Sequence, residues 1–235
     1  GLEQAGALAM SIVAGKTYNF SCWLRAGDFQ GQIAVAIVDK AGQPLTTVGT
    51  LRPSAHWEEQ QLQISGHTTA YGKLVLTFEG TGTVDLDCVS FYDNDTWHKH
   101  DARWSQGRLR RDLIEVLQAL KPAFLRFPGG SIVDGIAPGN HYRWKESIGP
   151  VINRTPNYSM WSISLPDGGY SQSLQVGFYE YFLLSEDLGV EPLPCVWAGL
   201  RVQIPGGPVN MVVPVNSPEF ETEVVQNALD LIAYA

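Results

Sequence analysis

With 235 residues, 44% of them hydrophobic, the chain can fill a substantial core, so disorder is excluded as the default reading. Sixteen basic residues against 24 acidic ones give a net charge of -8, and the longest basic cluster is RLRR at 108–111; a nucleic-acid partner is disfavoured, because neutralising phosphates takes a basic face that this composition does not supply. No apolar run reaches the roughly 18 residues a membrane span needs, so no membrane partner is expected.

The 24 Gly and 14 Pro, with seven Trp, nine Tyr and nine Phe, point to loop-rich structure in which flat rings stand beside polar groups, a composition that suits carbohydrate ligands. Cys22, Cys88 and Cys195 have no metal-ligand spacing and leave an odd thiol, so neither a metal site nor a disulfide scaffold is indicated. Cys22 and Cys88 would pair only if their strands were neighbours.

From residue 7 to about 92 apolar residues recur at every second position, the period of half-buried strands. TYNFSCWL sets Tyr18, Phe20 and Cys22 on one face, KLVLTF does the same with Leu74, Leu76 and Phe78, and TVDLDCVSF with Val84, Leu86 and Cys88. Turn clusters such as AGDFQGQ, DKAGQP and FEGTGT separate them, and no helical stretch intervenes. Residues 1–95 therefore read as a β-sandwich, jelly-roll-like in type.

Beyond YDNDTWHKHD the period changes, and 96–235 reads as a second domain. In GRLRRDLIEVLQALKPAF the positions 109, 113, 116, 117 and 120 fall at helical spacing until Pro122 stops the run. AFLRFPG follows as a short buried strand, SQSLQVGFYEYFLLSEDLG as a second helix closing at Gly189, and EPLPCVWAG as another strand, with Cys195 in its core. Ser217 and Pro218 then open a third helix in N-cap and N1 positions. This alternation implies parallel strands with helical crossovers. Both long loops, about 130–170 and 198–216, leave carboxyl ends of strands, where such sheets and barrels hold ligands.

Residues 125–135, LRFPGGSIVDG, match neither G-x-G-x-x-G nor G-x-x-x-x-G-K-[ST], so a phosphate cradle is rejected. The bland reading, a Pro-Gly-Gly turn ending a buried strand, leaves unexplained the Ser131, Asp134, Asn140, His141, Tyr142 and Arg143 that follow. Rings interleaved with hydrogen-bonding groups fit a polyhydroxylated ligand.

LKPAFLRFPGGSIVDG, YRWKESIGP, NRTPNYSMW and GFYEYFLLSEDLGVEPL, in that order over about 120–195, resemble the α-L-arabinofuranosidases of glycoside hydrolase family 51. The preceding region, ending VDLDCVSFYDNDTW, is similar to the carbohydrate-binding-module-like domain of one branch of that family. The resemblance implies an accessory sandwich followed by part of a (β/α)8 TIM barrel, retaining hydrolysis of terminal arabinofuranosyl groups from arabinoxylan or arabinan, and no cofactor or metal. Retention uses two carboxyl groups about 5–5.5 Å apart. In the family both are glutamates on later barrel strands, and an early strand with a substrate-binding glutamate precedes the sandwich. The expectation is an internal piece of a longer enzyme, inactive by itself, with no catalytic residue in this chain. An arabinose-containing polysaccharide or oligosaccharide is then the partner, the full-length enzyme is a candidate homo-oligomer, and the location is periplasmic or extracellular.

Carried over position by position, the substrate-binding residues are Gly130, Ser131, Asp134, Trp144 and Trp161. Ser131 departs from the Cys or Asn usual in the family yet keeps a hydrogen-bonding group. Arg126 matches a motif position and is either a buried structural partner or a pocket former. Glu180, Glu186 and Asp187, on the second helix, are expected at a packing edge or in solvent, and His98 and His100 are expected to solvate the domain junction. Trp23, Trp57 and Tyr71 admit a sugar platform or simple core packing. Two rival functions remain: a non-catalytic carbohydrate-binding protein, and a related retaining glycosidase such as a xylosidase or endoglucanase.

Overall fold

The fold is described from a computed structural model of the chain, covering residues 1–4, 9–137, 139–159, 171–202 and 208–235. The chain divides into two compact units, Gly1–Thr96 and Trp97–Ala235.

The first unit is a β-sandwich. One sheet contains β1 (Leu2–Gln4), β7 (Ala70–Thr81), β4 (Gln30–Val38) and β5 (Gly49–Leu51) in that order, with β2 (Met10–Ile12) also on β7. The other runs β6 (Glu58–Ser65), β3 (Thr17–Ala26), β8 (Val84–Asp93). All pairings are antiparallel, and the chain crosses between sheets after β2, β3, β5, β6 and β7. The period of two explains the core: Tyr18, Phe20, Cys22 and Leu24 of β3 meet Ile33, Val35 and Ile37 of β4 and Leu74 and Leu76 of β7. Each fully buried Phe or Leu contributes about 1.5–3 kcal/mol relative to exposure.

One expectation fails at β8, the inward placement of Cys88. A bulge between Ser21 and Trp23 shifts the β3–β8 register, and Cys88 takes φ +48. Val84 and Leu86 point inward as their spacing predicts, but the extra residue throws Cys88 out to solvent and Phe91 resumes the inward face. Cys22 and Cys88 therefore lie on neighbouring strands and opposite faces, and all three cysteines are free thiols. Tyr71 sits on β7, in the other sheet from Trp23 of β3, so these two rings share no platform.

The second unit is built on a parallel pair. α1 (Arg111–Leu120) leads to β9 (Phe124–Phe127), α3 (Phe178–Leu188) follows, and β12 (Glu191–Pro194) returns beside β9 with Phe124 opposite Glu191 and Phe127 opposite Pro194. Gly189 ends α3 at φ +65, the left-handed C-cap its sequence position predicts. Ser217 caps the last helix by accepting from the Phe220 amide at 3.0 Å, with Pro218 at N1. That helix runs as α4 (Pro218–Phe220), a π-helical turn (Glu221–Val225) and α5 (Gln226–Tyr234). Among the described residues no helix is long and apolar enough to cross a membrane.

The two faces of the parallel pair differ. Leu125 and Phe127 pack towards α3, where Phe127 meets Phe178, Tyr181 and Phe182 at ring-centroid distances of 5.3, 4.9 and 5.3 Å. On the opposite face Phe124 and Leu193 stay 55% and 48% exposed. α1 is likewise apolar on two sides: Ile114 and Leu117 join the core with Trp97, Trp104 and Leu183, while Leu113, Val116 and Leu120 face outward.

Candidate functional site

At the carboxyl end of β9 the chain turns through Pro128 and Gly129, whose φ of +137 favours glycine, and enters the four-residue helix α2 (Ser131–Asp134). α2 is fastened to the loop after it. The Tyr142 amide donates to Val133 O at 3.0 Å, and the Ile136 amide to Asn140 Oδ1 at 3.2 Å. Asn140 Nδ2 donates to Asn157 Oδ1 and Tyr158 O at 2.8 and 2.9 Å, which ties this loop to the hairpin of β10 (Asn157–Tyr158) and β11 (Ser171–Gln172). At Gly135, φ +69, an added Cβ would come within 2.7 Å of the Asn140–His141 backbone, so the loop closes only over glycine.

Arg126 stands on the uncovered face of the parallel pair and is exposed rather than buried. Its Nε donates to Cys195 Sγ at 3.3 Å, joining the ends of β9 and β12, and its guanidinium approaches Gly130. Cys195 lies one residue beyond β12 and is half-buried, which corrects its placement in a strand core: the strand stops at Pro194.

The sequence-derived residues are not brought to a single pocket. Gly130 and Ser131 sit at the mouth of the strand end, exposed and half-buried. Asp134, one turn further along α2, lines a separate cavity of about 790 Å³ formed by the loop after β9, the loop after β12 and the start of the last helix. Burial raises the Asp134 pKa above the usual carboxylate value. Trp144 is buried among Phe178 and Tyr234, with Nε1 donating to Asn227 O at 3.1 Å, so it packs the last helix against α3. Trp161 lies outside the described residues.

Trp197 and His141 form the feature of the cavity that residue spacing did not announce. Their rings stack with centroids 3.8 Å apart and planes 10° from parallel, and Trp197 Nε1 donates to Leu200 O at 2.6 Å. Burial, with Arg143 beside it, lowers the His141 pKa to about 4. Among the described residues no group of three or more His, Cys, Asp or Glu side chains converges to hold a metal ion.

Glu180 and Asp187 correct the expectation of edge or solvated acids. Glu180 is fully buried and bonded to Arg154 and to the Gly177 amide, at 2.8 Å to the latter. Asp187 Oδ2 accepts from the Trp97 and Trp104 indoles, each at 2.9 Å, and lies 3.2 Å from His98 Nδ1. Both acids sit where loop segments return onto α3, and polar partners distant in sequence hold them there. Glu186 is exposed as expected. His98 stacks on Trp97, with centroids 4.1 Å apart, and His100 is exposed.

A sequence profile of the family described as "Alpha-L-arabinofuranosidase 1 domain" matches residues 116–235. An extracellular exo-alpha-L-arabinofuranosidase of Streptomyces chartreusis is 34% identical over 236 residues, 95% of this chain and 26% of that protein. Alpha-L-arabinofuranosidase 2 of Arabidopsis thaliana is 29% identical over 201 residues, 82% of this chain and 27% of its own length. The chain thus spans about a quarter of the length of these curated relatives. Among solved structures, an arabinose-bound MgGH51 α-L-arabinofuranosidase superposes with a TM-score of 0.78 and 23% identity, covering 99% of this chain and 35% of that one, a likeness of fold.

Proposed function

The chain belongs to the alpha-L-arabinofuranosidase 1 domain family, and from that membership we propose that it supplies the accessory sandwich and the early strand–helix units of a (β/α)8 barrel in a retaining α-L-arabinofuranosidase. The observation that carries the barrel reading is the uncovered face of β9 and β12. Parallel strands are buried on both faces, yet Phe124 and Leu193 stand exposed opposite the helix-covered side, and further parallel strands closing round them would bury that face. The outward stripe of α1, Leu113, Val116 and Leu120, is the face a neighbouring helix of the outer ring would cover.

In this reading Gly130, Ser131 and Asp134 stand at the carboxyl end of a barrel strand and wall the arabinosyl site, with Arg126 projecting into the barrel beside them. Trp144 acts from beneath by fixing the loop after β9, and Trp161 keeps the substrate-binding role that the family resemblance implies. The substrate is an arabinose-containing polysaccharide or oligosaccharide such as arabinoxylan or arabinan, met outside the cytoplasm, as the extracellular relative suggests. The two catalytic carboxylates come from outside this chain. The isolated chain is expected to leave a chromogenic arabinofuranoside intact, whereas the whole protein hydrolyses it. Turnover by the isolated chain that Asp134→Asn abolishes would overturn this assignment.

One observation favours a second role for the sandwich. The outward face of β6, β3 and β8 carries half-buried Trp23 between Glu59 and Asp87, with Gln61, Gln63 and Asn19 further along the same face, and Trp57 is 42% exposed under the Arg25 guanidinium, 5.2 Å from its centroid. Calorimetry of the chain against arabinoxylan and arabinan tests it, with saturable heat lost in Trp57→Ala expected if this face binds sugar.

A further inference from the structure

We propose that Cys195 is a positioning residue for the hydrolysis, its sulfur holding the Arg126 guanidinium beside the site at the carboxyl end of β9. The inference rests on the arabinofuranosidase reading and adds to it a residue that the reaction uses indirectly. Strand register brings the two side chains together. Arg126 pairs with Leu193 across the parallel ladder, and Cys195, two residues on, returns to the face that Leu193 and Arg126 share, the uncovered face of the pair. The Cys195 amide donates to Phe127 O at 2.6 Å, so its backbone is fixed to the end of β9 although β12 stops at Pro194. From there Sγ accepts from Arg126 Nε at 3.3 Å. The other end of the guanidinium lies over the site wall: a Cβ on Gly130 would stand 3.5 Å from Nη2.

This bond orients the cation without answering its charge. Among the described residues Arg126 forms no ion pair and the thiol is its one hydrogen-bond partner, so the N–H groups on Nη1 and Nη2 are left to other acceptors. The charged side chains of the adjoining elements are engaged elsewhere. Glu191 sits at the far end of β12, opposite Phe124, and Asp134 lines the separate cavity from the end of α2. When further strands close round this face, a buried guanidinium has to meet anions. The anions that a retaining glycosidase brings to its strand ends are carboxylates, and a fixed cation beside one of them keeps it ionised. A thiol acceptor suits that purpose. Being neutral, it aims the guanidinium through Nε and leaves its charge to act on the site, whereas an aspartate in its place would neutralise it.

The test is the pH dependence of kcat/KM for the whole enzyme on an aryl α-L-arabinofuranoside, whose acid limb reports the carboxylate that must be ionised in the free enzyme. Cys195→Ala, which loses the acceptor, is expected to move that limb up by about half a pH unit and to lower kcat about threefold, with KM little changed. Cys195→Ser keeps an acceptor and should restore most of both. Cys195→Val, of similar size and without an acceptor, makes the same comparison if the alanine variant folds poorly. An acid limb that stays in place in the alanine and valine variants, or that moves equally with serine, would overturn the positioning role, since lost packing alone leaves the limb where it is. Wild-type enzyme inert towards the substrate would overturn the glycosidase reading, and this inference with it.

Discussion

Arg154 and Glu180 form a fully buried, two-pronged ion pair, with Nη2 to Oε1 at 2.7 Å and Nη1 to Oε2 at 2.8 Å. The remaining guanidinium hydrogens reach Gly149 O, at 3.0 and 2.8 Å, and Leu174 O, at 2.9 Å, so one side chain pins both ends of the loop that begins near Arg154 and returns to α3. Removing one member of such a pair strands a buried charge, a loss of about 3–5 kcal/mol. Glu180→Ala should lower the urea midpoint of the chain accordingly, and Arg154→Lys should lower it too, because an ammonium cannot span the same acceptors. A change below about 1 kcal/mol would show that the pair is dispensable.

Gly177, the residue before α3, is closed to any side chain: a Cβ there would lie 1.8 Å from Ser147 O. Gly189, at the other end of the helix, has φ +65 but open space around it. Gly189→Ala should therefore lose only the left-handed backbone preference, about 1–2 kcal/mol, while Gly177→Ala should lose more because the backbone must move. Thermal unfolding of the two variants checks the order, and equal losses would contradict the packing at Ser147.

The thiols should separate by reactivity. Cys22 is wholly buried and its pKa is pushed up to about 12 by desolvation, whereas Cys88, its pKa also raised by partial burial, stands exposed in the bulge of β8. With a coloured disulfide reagent at mildly alkaline pH, Cys88→Ser should remove a fast phase, and Cys22 should react only after unfolding. Rapid labelling of Cys22 in the folded chain would mean that the sandwich core opens.

Acidification should weaken the second unit through His141. Its folded pKa of about 4 lies below the ordinary 6.5, so the unfolded chain binds the extra proton first; the stability is full above about pH 6.5 and is lost as pH falls towards and through 4. Asp134, with a raised pKa, acts in the opposite sense and gains relative stability in acid. The pH dependence of the thermal midpoint should therefore be shallower between pH 6.5 and 4 in His141→Gln than in the wild type. An unchanged slope would indicate that His141 is hydrated in the folded state.

Much of this fold was legible where one period governs a whole element. The alternation in β3 and β7, the Gly189 cap and the Ser217–Pro218 helix start are local signals, and each leads directly to the observed geometry. What escaped depends on contacts between distant residues. Cys88 was misread because a bulge inserts one residue without changing composition, and Glu180 and Asp187 because an acid on a helix reveals neither Arg154 nor two indoles arriving from elsewhere in the chain. The candidate site divides in the same way: the turn after β9 was visible in its glycines, but the Trp197–His141 stack joins loops 56 residues apart and has no spacing to read.

The most direct measurement is proton NMR of the whole enzyme acting on an aryl α-L-arabinofuranoside, following the anomeric signal of the first product. A retaining mechanism releases arabinose first in the α configuration, before mutarotation. Product first formed in the β configuration would contradict the account.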